Sequence, residues 1–367
     1  MRKHWAWYLL ACVALVVTAA CGGSPTAGPG SSAPAASDAQ QVYDQINGLS
    51  GEERTNTVLD LAKKEGELSL YTSNTDMDDV VKAFEAKYPI KVNTYRANSE
   101  TVLQRVLQES SARYQGADLI ETNAGELNAM QQQQLLYPYK GALRDKVRPE
   151  GQKDGWTADR FNAFVVGWNT NKVPAGTAPK SLKDLVEPQW KGRVGLEIGD
   201  VDWYAAMVEY YKAQGMSDQE VDDFFHKLAA NSKIAKGHTV MGELLAAGQF
   251  DVAPSIYSHT VSNAAEKGAP VTWKADGKPV EPVVLRPNGA GLMKSAKHPA
   301  AAMLFLDFLL TEGQDAIAGA NRIGAIPTAQ DPLAGVATVT VPEEELLNNP
   351  DKWNDAYKNV TDSGGKA

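Results

Sequence analysis

Between residues 67 and 136, short apolar runs alternate with stretches of helical periodicity, and this alternation limits the fold more than any other feature. ELSLYT (67–72) reads as a strand. DMDDVVKAFEAKYP then places Val80, Val81, Phe84 and Tyr88 at helical spacing and stops at Pro89. IKVNTYR (90–96) is a second strand, and SETVLQRVLQESSAR a second helix through Val102, Leu103, Val106 and Leu107. ADLIET (117–122) and GELNAMQQQQLL repeat the pair. Such alternation predicts a parallel sheet with covering helices. In open sheets of that kind, ligands meet the carboxyl ends of strands. Thr72, Ser73, Asn74 and Thr75 fall at one such end, and Glu121, Thr122 and Asn123 at another. Hydroxyls and amides beside the N–H groups of a following helix suit a phosphonate, phosphate or carboxylate. Ser73 and Thr75 equally suit plain helix capping.

Further along, RFNAFVVGWNTN (160–171) supplies another apolar strand and GRVGLEI (192–198) the next. Helices are expected near 203–214 and 217–231, with another ending at Ala247, before the strand QFDVAPSIY (249–257). VVLRPNGAGLM (283–293) reads as a returning strand, with Gly289-Ala290-Gly291 as a tight bend between lobes, and HPAAAMLFLDFLLTEGQDAIAG as one long amphipathic helix. The length exceeds what one core comfortably serves. The fold class expected is therefore α/β in two lobes, each a mostly parallel sheet with covering helices. Residues 43–165 plus 283–330 form the first lobe, 166–282 the second, and 331–367 a peripheral, partly mobile segment. No internal repeat is visible.

The ends set the compartment. Arg2 and Lys3 precede an apolar run, and small residues Ala19 and Ala20 stand before Cys21. Charge, apolar middle and small residues at the cut are the order of a secretory signal, here residues 1–20. The run is shorter than the ~20 residues a spanning helix needs. A Cys directly after the cut is the arrangement of a lipoprotein signal, with Cys21 as the lipidated residue, although Thr18 stands where an aliphatic is usual. An ordinary signal with an incidental Cys is the alternative. The second Cys, Cys12, lies inside the leader, so no intramolecular disulfide is expected after cleavage. Residues 21–42 are rich in Gly, Ser, Pro and Ala and read as a flexible tether. Loss of Arg2 and Lys3 with the leader takes the formal net charge from −9 to −11. Without a basic patch, nucleic acid is not an expected partner.

Enzyme signatures are missing: the sequence has no GxSxG, HExxH, phosphate-binding GxxxxGK[ST] or complete GxGxxG. His226, His238, His259 and His298 show no local metal spacing. Neither catalysis nor a cofactor is expected.

Several short blocks together carry a resemblance. They are Leu70-Tyr71-Thr72-Ser73, Tyr88-Pro89-Ile90-Lys91-Val92, Asp118-Leu119-Ile120, Trp168-Asn169-Thr170 and Trp190-Lys191-Gly192-Arg193. Lys267 to Val271, Gly289-Ala290-Gly291 and His298 to Gln314 complete the set. In this order the chain resembles the extracellular solute-binding proteins of ATP-driven (ABC) importers, in the branch of ferric-ion-binding proteins and their phosphonate- and sugar-phosphate-binding relatives. The resemblance implies a periplasmic-binding-protein clamp that closes on its ligand by a hinge motion. It also implies an ABC permease and ATPase as partners, a lipid anchor holding a monomer at the outer membrane face or in the periplasm, and capture of a small polar or anionic solute.

Ferric members are expected to present adjacent tyrosines, often with a His or Glu from the first lobe. Here Tyr257 matches one tyrosine, but Ser258 follows it, and Thr72 to Thr75 stand where a His is expected. Ferric iron held by Tyr257 and His259 is thus the alternative to an organic anion. For the anion, the candidate contacts are Thr72, Ser73, Asn74, Thr122, Asn123, Asp202, Trp203, Tyr204, Tyr257 and His259. Asp200 and Asp202 suit an amino or hydroxyl group or a helix cap, and Trp203 and Tyr204 a flat or sugar-like face or the core. Tyr210-Tyr211 lies within a predicted helix, where neighbours diverge by about 100°, so it is not a ligand pair. A ligand sensor of the same fold that signals to a partner is a second alternative.

Overall fold

The computed structural model describes residues 38–366. The leader, Cys21 and most of the tether lie outside them. The strands expected at 67–72, 90–96 and 117–122 form, at 67–72, 91–96 and 119–123, with helices 77–87 and 99–111 between them. Strand 67–72 lies in the middle, parallel to both neighbours, with Tyr71 opposite Tyr95 and Ile120. Helix 77–87 buries Met77, Val80 and Phe84, the positions that helical periodicity picks out.

Two long strands cross between the lobes. Strand 157–169 is buried along its whole length, and strand 283–293 runs antiparallel to it. The latter also pairs with 119–123, while the former pairs with 252–257. Strands 194–197 and 232–235 extend the second lobe in parallel. One sheet path thus runs from 365–366 through 232–235, 194–197, 252–257, 157–169, 283–293, 119–123 and 67–72 to 91–96. Its helices pack into two apolar clusters, one centred on Leu70, Phe84, Ile120 and Phe305, the other on Trp168, Leu196, Trp203 and Phe225.

The glycines of 289–291 stay inside strand 283–293 and make no bend between lobes. The pairing shifts between Asn288 and Gly289. A Cβ on Gly289 would lie 2.4 Å from the Thr157 carbonyl oxygen, so glycine there permits a close strand approach. The block from His298 splits into helices 299–309 and 313–319. Asp118 secures the first of these: Oδ1 accepts the His298 N–H at 2.9 Å, and Oδ2 faces His298 Nδ1 at 2.8 Å. These motif residues therefore hold the fold together.

Two segments, 38–42 and the stretch after 331, are more regular than composition suggests. Helix 38–47 begins inside the expected tether and buries Ala39, Tyr43 and Ile46. Tyr43 stacks on Tyr137 at 4.6 Å and donates to the Met293 carbonyl. The segment after 331 is not peripheral. Strand 338–340 pairs with 283–293, and helix 350–361 buries Trp353, Tyr357 and Val360 in the second cluster. Spacings of four and three residues put these three on one face of the helix. The Tyr357 hydroxyl donates to the Glu197 carbonyl at 2.6 Å.

Candidate functional site

The carboxyl ends of the first-lobe strands face those of the second across a cleft of about 550 Å³. The first-lobe wall grows from the turn after strand 67–72. Thr72 is fully buried: its hydroxyl donates to Glu121 and accepts the Asn74 N–H at 2.9 Å. Asn74 Oδ1 accepts the Asp76 N–H at 3.1 Å, closing a tight polar turn. No side chain caps helix 77–87 at Asp76. Ser73 Oγ instead accepts from the Thr122 hydroxyl at 2.9 Å, and Thr75 Oγ1 accepts from Arg322 at 3.1 Å. The capping interpretation of Ser73 and Thr75 therefore fails, because both hydroxyls are committed across the sheet edge.

Opposite, Tyr257 ends strand 252–257 with two imidazoles stacked near its ring. His238 stacks at 3.6 Å between centroids, and His259 lies nearly parallel at 5.3 Å. The Tyr257 oxygen accepts from Arg286 Nη2 at 2.8 Å, and Arg286 Nη1 donates to Asp202 at 3.0 Å. Burial pushes the Tyr257 hydroxyl pKa above the usual tyrosine range, against the opposing effect of Arg286. His259 is held below the usual imidazole range by burial and then by Arg322.

Three guanidiniums line the cleft: Arg160 and Arg286 from the crossover strands, and Arg322 from the turn after helix 313–319. Arg160 is 2% exposed, contacts Glu121 and lies 3.3 Å from Asp159. Arg322 is bound by Asp76, its Nε donating at 2.6 Å. Each thus has a carboxylate neighbour, yet donors remain: Nε of both Arg160 and Arg286 is buried without a hydrogen-bond partner among the described residues. The buried Asn288 Oδ1, also at the lining, is unmatched too. Unsatisfied buried polar atoms cost about 1–3 kcal/mol each, and these three sit on residues that line the cleft. Beyond His259 and Arg322 the cleft continues into a space of about 410 Å³ past Thr239, Thr260 and Lys267.

Of the ten candidate ligand contacts, Ser73, Asn74, Asn123, Tyr257 and His259 line the cleft. Thr72 and Thr122 lie fully buried behind it and position its wall. Asp202 faces an adjoining cavity of about 360 Å³ and anchors Arg286. Trp203 and Tyr204 do not belong to the site. They are 2% and 5% exposed and pack edge-on against Phe225, with Tyr204 also against Trp353 and Tyr357. Successive helical residues rotate by about 100°, so a helix that presents Asp202 to that adjoining cavity turns the next two rings into the core. Tyr211 is likewise buried. The arginines, Asn288 and His238 escaped the sequence reading. A charged residue within an apolar buried strand, as in RFNAFVV and VVLRPNG, was the available signal, since such burial is expensive without a purpose.

The profile of the bacterial extracellular solute-binding proteins matches residues 117–359. The Fe(3+)-binding periplasmic protein of Serratia marcescens is 22% identical over 254 residues, covering 66% of this chain and 74% of that protein. Iron uptake protein A1 of Synechocystis is 23% identical over 305 residues, covering 77% and 81%. Among solved structures, iron-bound HitA from Pseudomonas aeruginosa superimposes with a TM-score of 0.66 at 22% identity, covering 80% of this chain and 99% of that one. AfuA from Actinobacillus pleuropneumoniae, with fructose-6-phosphate bound, gives 0.66 at 21% identity, covering 81% and 99%. At these identities the superpositions establish the two-lobe fold alone, but the profile spans well over half of the sequence. The chain belongs to the bacterial extracellular solute-binding protein family.

Proposed function

We propose that this chain captures a small organic anion, one bearing a phosphate, phosphonate or carboxylate, in the cleft between its lobes and delivers it to an ABC importer. The observation that carries this reading is the convergence of Arg160, Arg286 and Arg322 on one cavity. Guanidinium forks suit planar or tetrahedral oxyanions. A space of this size suits a solute of sugar-phosphate dimensions and far exceeds a bare ion. Arg286 sits on a crossover strand and reaches Asp202 and Tyr257 of the second lobe, so an anion bound to it touches the elements about which the lobes close.

Ferric iron is the second reading, favoured by Tyr257 beside His259 and by the ferric relatives. Against it stand Ser258 in place of a second tyrosine, Arg286 donating to the phenol, and Arg160 and Arg322 in the same cavity, since cations there repel a trivalent ion. Cys21 acylation is proposed as the anchor; several chains are needed for stable attachment. Thermal unfolding against sugar phosphates, phosphonates, dicarboxylates and ferric citrate tests the ligand. The true class stabilises by about 2.7 kcal/mol at a hundredfold excess over Kd. Stabilisation by ferric salts alone, with a purple tyrosinate colour, overturns the anion reading.

A further inference from the structure

On the second-lobe wall, two neighbouring strand ends bring a second kind of chemistry together. Glu197 ends strand 194–197, Asp200 precedes helix 201–213, and His238 opens helix 238–246. Each offers one donor atom, and the three atoms lie within 4.8 Å of one another. Glu197 is fixed in place: its two oxygens accept the Gly237 and Gly199 N–H groups at 2.7 and 2.5 Å. His238 is oriented by its stacking on Tyr257, and its Nε2 lies 2.9 Å from Asp200 Oδ1.

Two buried atoms are left over. Asp200 is only 4% exposed, lines the cleft, and its Oδ2 has no partner among the described residues; neither has His238 Nδ1. Two buried carboxylates at this separation repel each other. Burial and then Asp200 accordingly push the Glu197 carboxyl above the usual range. A like-charge pair with a spare oxygen and an adjacent imidazole is a place where a cation gains more than water does.

We propose that Glu197, Asp200 and His238 form a binding site for a first-row divalent cation, of the Zn²⁺ or Mn²⁺ class, separate from the arginine-lined anion locus. One imidazole and two carboxylates are the donor set such ions accept, whereas Mg²⁺ and Ca²⁺ prefer oxygen alone. Three protein ligands leave coordination positions open toward the cleft, where an oxygen of a bound solute can complete them. Glu197 and Asp200 are then cation ligands, and the Gly199 and Gly237 N–H groups are the supports that hold Glu197 in place.

The test uses tag-free protein stripped with chelator and dialysed against Zn²⁺ or Mn²⁺, with bound metal counted by elemental analysis and, for Mn²⁺, by loss of the free-ion EPR signal. Saturable uptake of one equivalent per chain is expected. Asp200→Asn and His238→Gln should each weaken it at least tenfold, while His226→Gln, a surface imidazole outside the cleft, should not. Cooperative thermal melts confirm that each variant is folded. No saturable uptake, or uptake that survives both cleft substitutions, overturns the proposal. So does uptake abolished by Tyr257→Phe but retained in Asp200→Asn and His238→Gln. Anion titrations run in chelator, so failure of this site and failure of the anion reading give different results.

Discussion

Arg286→Ala is the substitution that presses hardest on the anion-capture reading. The side chain donates to Asp202 at 3.0 Å and to Tyr257 at 2.8 Å, and lines the cleft. Truncation removes a charge-assisted hydrogen bond to the ligand, a loss of about 1.5–3 kcal/mol, or roughly 10- to 150-fold in Kd. The fold should lose less. The Asp202 side chain is 34% exposed, so its carboxylate can be hydrated once its partner is gone, at about 1 kcal/mol or below. Arg286→Lys keeps the charge but not the fork and should fall between the two. Isothermal titration in chelator, at fixed ionic strength, measures all three proteins against whichever anion binds the wild type. If Arg286→Ala leaves Kd within about threefold while remaining folded, the guanidinium does not hold the solute, and the assignment of the anion locus is wrong.

Trp203→Ala should destabilise by about 3–5 kcal/mol and leave Kd unchanged in the folded fraction, since the ring faces Phe225; denaturant melts with parallel titrations decide, and weakened binding at full stability would return the ring to the site. Gly289→Ala should cost about 1–3 kcal/mol, because the new Cβ meets the Thr157 carbonyl at 2.4 Å and backbone cannot rotate away; an unaltered melt would refute that close approach. Burial pushes the Asp159 carboxyl up to about 7, against about 3.9 unfolded. Between those values the folded chain keeps a proton that the unfolded chain has released, so this group's contribution to stability falls as pH rises from about 4 to 7. Asp159→Asn should therefore gain on the wild type between pH 5 and pH 8, and parallel melting profiles across that range would contradict it.

What could be read from the sequence was set by periodicity. Val80, Phe84, Val102 and Val106 announce their helices because one stripe is apolar, and strand 67–72 is bounded by Gly66 and a polar turn. Tyr257 was found because it ends an apolar strand at a position that the family resemblance marks. The same method placed Trp203 and Tyr204 in the cleft, since spacing alone does not say which side of a helix start faces a partner not yet placed. Arg160 and Arg286 were passed over because periodicity counts apolar residues and treats the strand around a charge as settled. Their meaning depends on the crossover strands lying side by side, Arg286 opposite Asn162 and Arg160 opposite Asn288, a register only the folded chain displays. Ala39 and Trp353 were missed for another reason: composition outweighed the stripes they make, Ala39 with Tyr43 and Ile46, Trp353 with Tyr357 and Val360.

The content of the cleft in protein purified without refolding, read by native mass spectrometry together with elemental analysis, bears most directly on the central claim. The account predicts a retained organic anion, displaced from Arg286→Ala, with iron well below one equivalent. One equivalent of iron, carrying a visible charge-transfer band that disappears in Tyr257→Phe, would contradict it.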